Sequence, residues 1–329
     1  MTRFSFVRAL QFALALCFVF AALAAQAASY ERKDVTFVSQ GLKCAAWYYV
    51  PNGLKEGEKR PAIVMAHGFS AVKEQRLDTF AEAFCKAGFA VLVFDNRNFG
   101  ASDGTPRQEI DPIRQIRDYR HAITYAETRP ELDRTRIGIW GTSYSGGHVL
   151  VAAAIDRRVK CVVAQVPTIS GSQSARRRTR GDRIAGQNAA FDADRRARFA
   201  GKPPRMIPVV ASDDAPCALA GKDAYQFFMG EPERAPAFRN EVTLASAEMS
   251  REYEPGLWIE AVSPTPLLMI LAREDWLTPT DLSLGAYQRA REPKRLVLLP
   301  GGHFVPYIEQ FSESSGAATA WFQQHLCAG

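Results

Sequence analysis

The stretch Gly141-Thr142-Ser143-Tyr144-Ser145-Gly146-Gly147 holds a hydroxyl between small residues two positions to either side. A nucleophile carried on a sharp strand-to-helix turn needs that pattern, because the turn brings the flanking backbones close together. The flanks are Gly141 and Ser145, so a serine stands where a second glycine is usual. Ser145 is an internal rival to Ser143, but it falls where the following helix has already begun. A serine hydroxyl at neutral pH is a poor nucleophile and needs a base. Among five histidines, His303 follows a strand in Pro300-Gly301-Gly302-His303, at the sheet edge where ligands bind in open parallel sheets. His121 and His148 fall in helical patterns, and His325 near the end of the last helix. The imidazole needs a carboxylate to fix its tautomer. Arg273-Glu274-Asp275, after another strand, supplies it; Asp275 is preferred to Glu274, and Asp281 starts the next helix. A developing oxyanion needs donors already in place. These are the backbone N–H of Tyr144 and that of Phe69 in His67-Gly68-Phe69, which leaves His67 a structural part. The chemistry expected is acyl transfer through Ser143, Asp275 and His303.

The elements that must position these groups alternate. Val35–Ser39 and Leu42–Val50 read as a hairpin across Gln40-Gly41. Ala62–Ala66, Ala90–Phe94, Arg136–Trp140, Val159–Val166, Pro266–Ala272 and Arg295–Leu299 read as buried strands, being continuous apolar runs or nearly so. Between them, 77–87, 112–128, 145–155, 281–290 and 317–325 carry helical patterns, with Ile113, Ile116 and Ile123 among the apolar positions of the second. Strands alternating with helices imply a mostly parallel sheet covered on both faces, an α/β fold.

Residues 167–264 break the alternation and are too many for an ordinary loop. They read as an inserted helical cap, with 237–251 among its helical stretches, flanked by core segments 28–166 and 265–329. Arg176, Arg177, Arg178, Arg180, Arg183, Arg195, Arg196, Arg198, Lys202 and Arg205 crowd into it against Asp182, Asp192 and Asp194. Charge runs of this kind usually form a solvated face. The sharper expectation is that some of them border the entrance and attract an anionic substrate.

Residues 1–27 join Arg3 and Arg8 to an apolar run and the tripeptide Ala25-Gln26-Ala27, the order of a cleaved secretory signal. The expected product is periplasmic or secreted, with no later segment able to span a bilayer. Removing Arg3 and Arg8 lowers the formal charge from +6 to +4, too modest an excess to argue for nucleic acid. Five cysteines then remain (Cys44, Cys85, Cys161, Cys217 and Cys327), without zinc spacing and with nothing to select a disulfide pair. Cys85 and Cys161 read as small buried hydrophobes. No G-K-[ST] phosphate loop is present, and the chemistry calls for no metal or cofactor. The expected partner is a small-molecule acyl substrate.

His67-Gly68-Phe69, Asp95-x-Arg97-x-x-Gly100-x-Ser102, the turn at Ser143, Asp275 with Pro279, and Gly302-His303 together resemble the α/β-hydrolase superfamily over the sheet region. The turn Gly141–Gly146 looks like that of the Xaa-Pro peptidase-like and dienelactone-hydrolase-like groups. Residues 238–254 and 294–303 are also similar to the polyketide-transferase and thiohydrolase-like branch. The resemblance implies an α/β-hydrolase fold and a serine hydrolase of esters or thioesters, or an acyltransferase on the same residues. A dipeptidyl peptidase is the weaker expectation: no acidic pair stands ready for a free amine, and no β-sandwich domain follows the core.

Overall fold

The computed structural model describes residues 30–213 and 215–327; the leader expected over residues 1–27 lies outside them. Strands β1 (Tyr30–Ser39) and β2 (Leu42–Pro51) form the expected antiparallel hairpin. Gln40 and Gly41 both have positive φ, 50° and 83°, as a two-residue turn matched to strand twist requires. Then come β3 (Arg60–Ala66), β4 (Ala90–Phe94), β5 (Leu132–Thr142) and β6 (Val159–Gln165). After a long excursion, β9 (Leu267–Ala272) and β10 (Lys294–Leu299) complete one eight-stranded sheet in the order β1-β2-β4-β3-β5-β6-β9-β10. From β4 to β10 every neighbouring pair is parallel.

The continuous apolar runs are explained by burial on both faces. In β3, Ala62, Val64 and Ala66 pack with helix α2 (Pro112–Glu127) and helix α3 (Tyr144–Ile155), while Ile63 and Met65 pack with α1 (Leu77–Lys86) and α9 (Phe311–Phe322). Ile63, Val64 and Met65 are fully buried, and each contributes about 1.5–3 kcal/mol. Helix α2 starts where Asp111 accepts the Arg114 N–H at 3.0 Å and Pro112 occupies the first turn. Ile116 and Ile123 face the core as expected, but Ile113 points to solvent and is 54% exposed. Helix α9 begins at Phe311 rather than 317 and gives way to a wider turn over Gln323–Cys327.

Between β6 and β9 the chain leaves the sheet. It forms α4 (Gly171–Arg178), α5 (Ile184–Phe199), a two-residue strand β7 (Met206–Ile207), α6 (Lys222–Met229), β8 (Val242–Thr243) paired with β7, and α7 (Leu244–Met249). A 3₁₀ stretch, Pro255–Val262, leads back towards β9, which is followed by α8 (Thr280–Arg289). The helical reading of 237–251 holds only for α7. Its start is fixed by Thr243, which accepts the Ser246 N–H at 3.2 Å. Upstream, Asn240 spends both ends of its amide on the backbone of Val210, at 2.9 and 3.0 Å, and tertiary bonding of that kind overrides local helix propensity. The excursion closes on itself near its root: the Gly171 N–H donates to Tyr253 O at 2.8 Å.

Among the described residues no helix is long and apolar enough to cross a membrane. Cys44, Cys85, Cys161, Cys217 and Cys327 are all unpaired, and the first three are buried.

Candidate active site

Strand β5 ends at Thr142 and α3 begins at Tyr144, so Ser143 makes the whole turn. Its backbone sits at φ 56°, ψ −117°, a conformation that costs a non-glycine residue about 1–3 kcal/mol. Three backbone hydrogen bonds hold it there: Ser143 N–H to Gln165 O at 2.8 Å, and Ser143 O from Thr168 N–H at 2.9 Å and Gly147 N–H at 3.3 Å. Gly141 is required because a Cβ at that position would overlap the backbone carbonyl of Ser145. Ser145 lies in α3, fully buried, with its hydroxyl committed to His67 O.

The loops at the carboxyl ends of β9 and β10 bring the other two groups. His303 Nε2 lies 3.0 Å from Ser143 Oγ, and His303 Nδ1 lies 2.7 Å from Asp275 Oδ2. Asp275 is almost fully buried, and its other oxygen accepts the N–H groups of Leu277 and Thr278, each at 2.9 Å. Those bonds fix the carboxylate's orientation, since ionised oxygens accept strongly from backbone N–H. Glu274 turns the other way and accepts the Gly301 N–H, while its own N–H donates to Gly301 O at 3.0 Å. It fastens the histidine loop to the acid loop. Asp281 lies in the first turn of α8, exposed and paired with Arg177 at 2.6 Å.

Facing Ser143 from the other side is the loop after β3. A Cβ on Gly68 would stand 2.7 Å from Ser143 Cβ and 3.2 Å from Ser143 Oγ, so this backbone runs against the hydroxyl. Its conformation is set by His67, whose Nε2 lies 2.8 Å from Gln75 O and whose Nδ1 accepts the Gly68 N–H at 2.7 Å. Burial lowers His67 to about 4, so the ring is neutral and can accept at Nδ1. Among the described residues, the N–H groups of Phe69 and Tyr144 have no acceptor within the protein; for Tyr144 that is normal in the first turn of a helix.

Three contributors were not singled out in the sequence. Thr278 Oγ1 lies 2.8 Å from Asp275 Oδ2, 3.0 Å from Val166 O and 3.3 Å from His303 Nδ1, bracing acid and base together. A threonine three residues after the acid was its only trace. Tyr307 stacks on His67 with ring centres 5.7 Å apart. Tyr253 crosses from the excursion to hydrogen-bond His148 Nδ1 at 2.8 Å, packed where Gly147 leaves room. Gln115 takes His148 Nε2 at 3.0 Å, and burial lowers this histidine to about 3.

Ser143, His303, Phe69 and Tyr144 open into a cavity of about 1050 Å³ whose far wall is built by α4, the start of α5, the loop before α6, α6 and α7. Five of the nine arginines grouped in the sequence are paired with acids: Arg177 with Asp281, Arg198 with Glu109, Arg180 with Asp182, Arg196 with Asp192, and Arg195 with Asp192 and Glu248. Arg176 and Lys202 are exposed. Arg178, Arg180, Arg183 and Arg205 line the cavity.

Residues 40–305 match the model of the X-Pro dipeptidyl-peptidase (S15) family. The chain belongs to the S15 family. This S15-family chain is 36% identical over 243 residues to a thiohydrolase, aneE, of Aspergillus aculeatus, covering 72% of this chain and 76% of that one. It is 32% identical over 282 residues to the quorum-quenching protein AidA of Acinetobacter baumannii, covering 85% and 90%. To the polyketide transferase ATR5 of Stachybotrys chlorohalonatus it is 31% identical over 278 residues, covering 81% and 88%. The crystal structure of the α/β-hydrolase GrgF from a Penicillium species matches with a TM-score of 0.78 at 26% identity, over 91% of this chain and all of that one. DcsB in complex with its substrate analogue matches with a TM-score of 0.78 at 28% identity and the same coverage. This member of the S15 family therefore has the α/β-hydrolase fold and is an enzyme of the hydrolase and acyl-transfer type.

Proposed function

We propose that the chain is a serine hydrolase cleaving a carboxylic ester or thioester of a small-molecule substrate through an acyl-enzyme on Ser143. The observation that carries this reading is the unbroken hydrogen-bonded line from Ser143 Oγ through the His303 ring to Asp275 Oδ2. Ser143 Oγ attacks the acyl carbon as His303 Nε2 takes its proton, and Asp275 stabilises the imidazolium. The Phe69 and Tyr144 N–H groups hold the oxyanion. Collapse expels the alkoxide or thiolate, which leaves with the proton from His303. Water then attacks the acyl-enzyme with His303 again as base, releasing the acid and restoring Ser143. Residues 167–264 act as a cap that selects the acyl group, and cleavage after Ala27 delivers the enzyme to the periplasm or medium.

A fluorophosphonate probe tests the chemistry directly. Mass spectrometry should find its adduct on Ser143, and 4-nitrophenyl esters should be hydrolysed. An intact, folded protein that neither labels at Ser143 nor turns over any ester or thioester of a chain-length series would overturn the reading.

Acyl transfer to an alcohol or amine is the second reading. It is supported by the relative named a polyketide transferase and by the cavity's size, which is at the upper end for a single ligand and leaves room for an acceptor. Acceptors added to the ester assay should then divert product from acid to ester or amide. A dipeptidyl peptidase is disfavoured, because a free amine needs carboxylates and the described cavity lining offers only Asp213.

A further inference from the structure

The cavity wall is strongly one-sided in charge. Arg178, Arg180, Arg183, Arg205, Lys222 and Arg251 line it, against Asp213 alone among the described residues. Arg180 is drawn off by Asp182. Arg178 and Arg251 have no carboxylate partner among the described residues. Arg251 spends its guanidinium on the side chains of Gln187 and Asn188. Arg178 makes one hydrogen bond, from Nη1 to Leu277 O at 2.9 Å, and a guanidinium carries five N–H donors. Burial lowers Arg178 from its ordinary value, with Asp275 opposing and the charge of Arg251 adding to the fall. Arg178 and Arg251 thus share one cavity wall, and the acid that acts most on Arg178 is Asp275, already bonded to His303.

Two further donors stand in the same wall. Ser174 precedes Arg178 by one turn of α4, on the same face of the helix. Its hydroxyl is buried and has no partner in the protein. The hydroxyl of Tyr144 is likewise buried and unpartnered; burial and then the charge of Asp111 push it up, with Glu252 adding to the rise and Arg178 opposing it. Buried polar groups in folded proteins normally find partners, so two such hydroxyls lining the same cavity as the Arg178 guanidinium describe a place for a ligand. A neutral polar group would satisfy the hydroxyls and leave the charge unmatched. A carboxylate satisfies both, since its two oxygens accept the planar pair of guanidinium donors and still take hydroxyl hydrogens.

We infer that Ser174, Arg178 and Tyr144 form a subsite for a carboxylate borne by the acyl part of the substrate, with Arg251 reinforcing it. Tyr144 follows the nucleophile directly, so its hydroxyl lies no more than a side chain away from the residue that is acylated. A phosphate on a carrier, many bonds beyond the scissile sulfur, cannot reach so close, and the anion therefore belongs to the acyl chain. The inference rests on the serine-hydrolase reading, and its test separates the two.

The kinetic arm compares mono-4-nitrophenyl adipate with 4-nitrophenyl hexanoate, which match in length and differ in the terminal carboxylate. The native enzyme should favour the adipate in kcat/KM by about tenfold or more, the scale of one charge-assisted contact. Arg178→Met should cut that ratio at least tenfold and Ser174→Ala severalfold, acting mainly through KM. The binding arm uses Ser143→Ala protein, in which monomethyl adipate should bind at least tenfold more tightly than methyl hexanoate by calorimetry, and adding Arg178→Met should erase the difference. Turnover of neither ester together with selective binding of monomethyl adipate would sink the hydrolase reading and leave the subsite standing. Equal handling of both esters in both arms would overturn the subsite, as would a ratio that Arg178→Met leaves in place however far both rates fall, since Arg178 would then only brace the loop at Leu277.

Discussion

Ser143 and Ser145 are two residues apart, and their surroundings set them different tasks. Ser143 faces a histidine and an open cavity; Ser145 is fully buried and bonded to a carbonyl. Ser143→Ala should lower kcat on the order of 10⁵-fold or more, as removal of a nucleophile from a relay does, while Ser145→Ala should cost less than about tenfold. A dead Ser145→Ala beside an active Ser143→Ala would reverse the assignment. The two acids separate in the same way. Asp275→Asn should cut kcat on the order of 10⁴-fold with the fold intact, because the amide holds the wrong tautomer of His303. Glu274→Gln keeps an acceptor for the Gly301 N–H and should lose only a few-fold; pre-steady-state rates for the pair would show an inverted order if the loop were read one residue out of register. That Ser143, Asp275 and His303 meet was legible because each follows the end of a strand, in a stretch of small or acidic residues. Thr278 was not, because its role depends on a hydroxyl reaching Asp275, Val166 and His303 at once, and no spacing rule announces that.

The core strands were equally legible, since a strand covered on both faces must be apolar throughout, and β4 falls on the residues expected of it. The excursion was not. Helix α4 is mostly serine, glutamine and arginine and carries no apolar stripe, and Ala237–Val242 is shaped by Asn240 on Val210 and by Ala237 N–H on Glu74 at 3.0 Å. Order there comes from partners distant in sequence, which local periodicity cannot report. At the junction of β5 and α3 the fit is tight enough to predict a cost. Gly141→Ala must push its methyl group into the carbonyl of Ser145, and overpacking against backbone costs about 1–3 kcal/mol or more. The urea midpoint should fall accordingly, and activity should fall further because Ser143 shifts with the turn. A Gly141→Ala protein as stable as its parent would contradict the geometry described.

For the molecule as a whole, acid should be destabilising by a definite route. His67 and His148 are buried neutral, lowered to about 4 and about 3, against about 6.5 in the unfolded chain. The unfolded state therefore binds more protons below that value. Stability is complete above about pH 6.5 and drains away towards about pH 4 for His67 and about pH 3 for His148, by up to about 1.4 kcal/mol per pH unit for each ring. His148→Gln should flatten the fall of the urea midpoint across that window; parallel slopes for parent and variant would acquit the histidine. Expression of the full chain should yield exported protein beginning at Ala28, checked by N-terminal sequencing, and recovery of Met1 or Thr2 on exported protein would mean the leader is retained.

The short bond between Gly171 and Tyr253 has a further meaning. It ties the departing and returning ends of the excursion together beside the helix that follows Ser143, while Arg198 on Glu109, Arg234 on Asp78 and the Ala237 N–H on Glu74 pin the stretch between them to the core. With the ends joined, extra residues in the excursion's surface turns would cost little, since doubling a flexible loop adds only about 0.6 kcal/mol. Variation of length confined to those turns would leave the line from Ser143 through His303 to Asp275 where it is, since none of the three lies in the excursion.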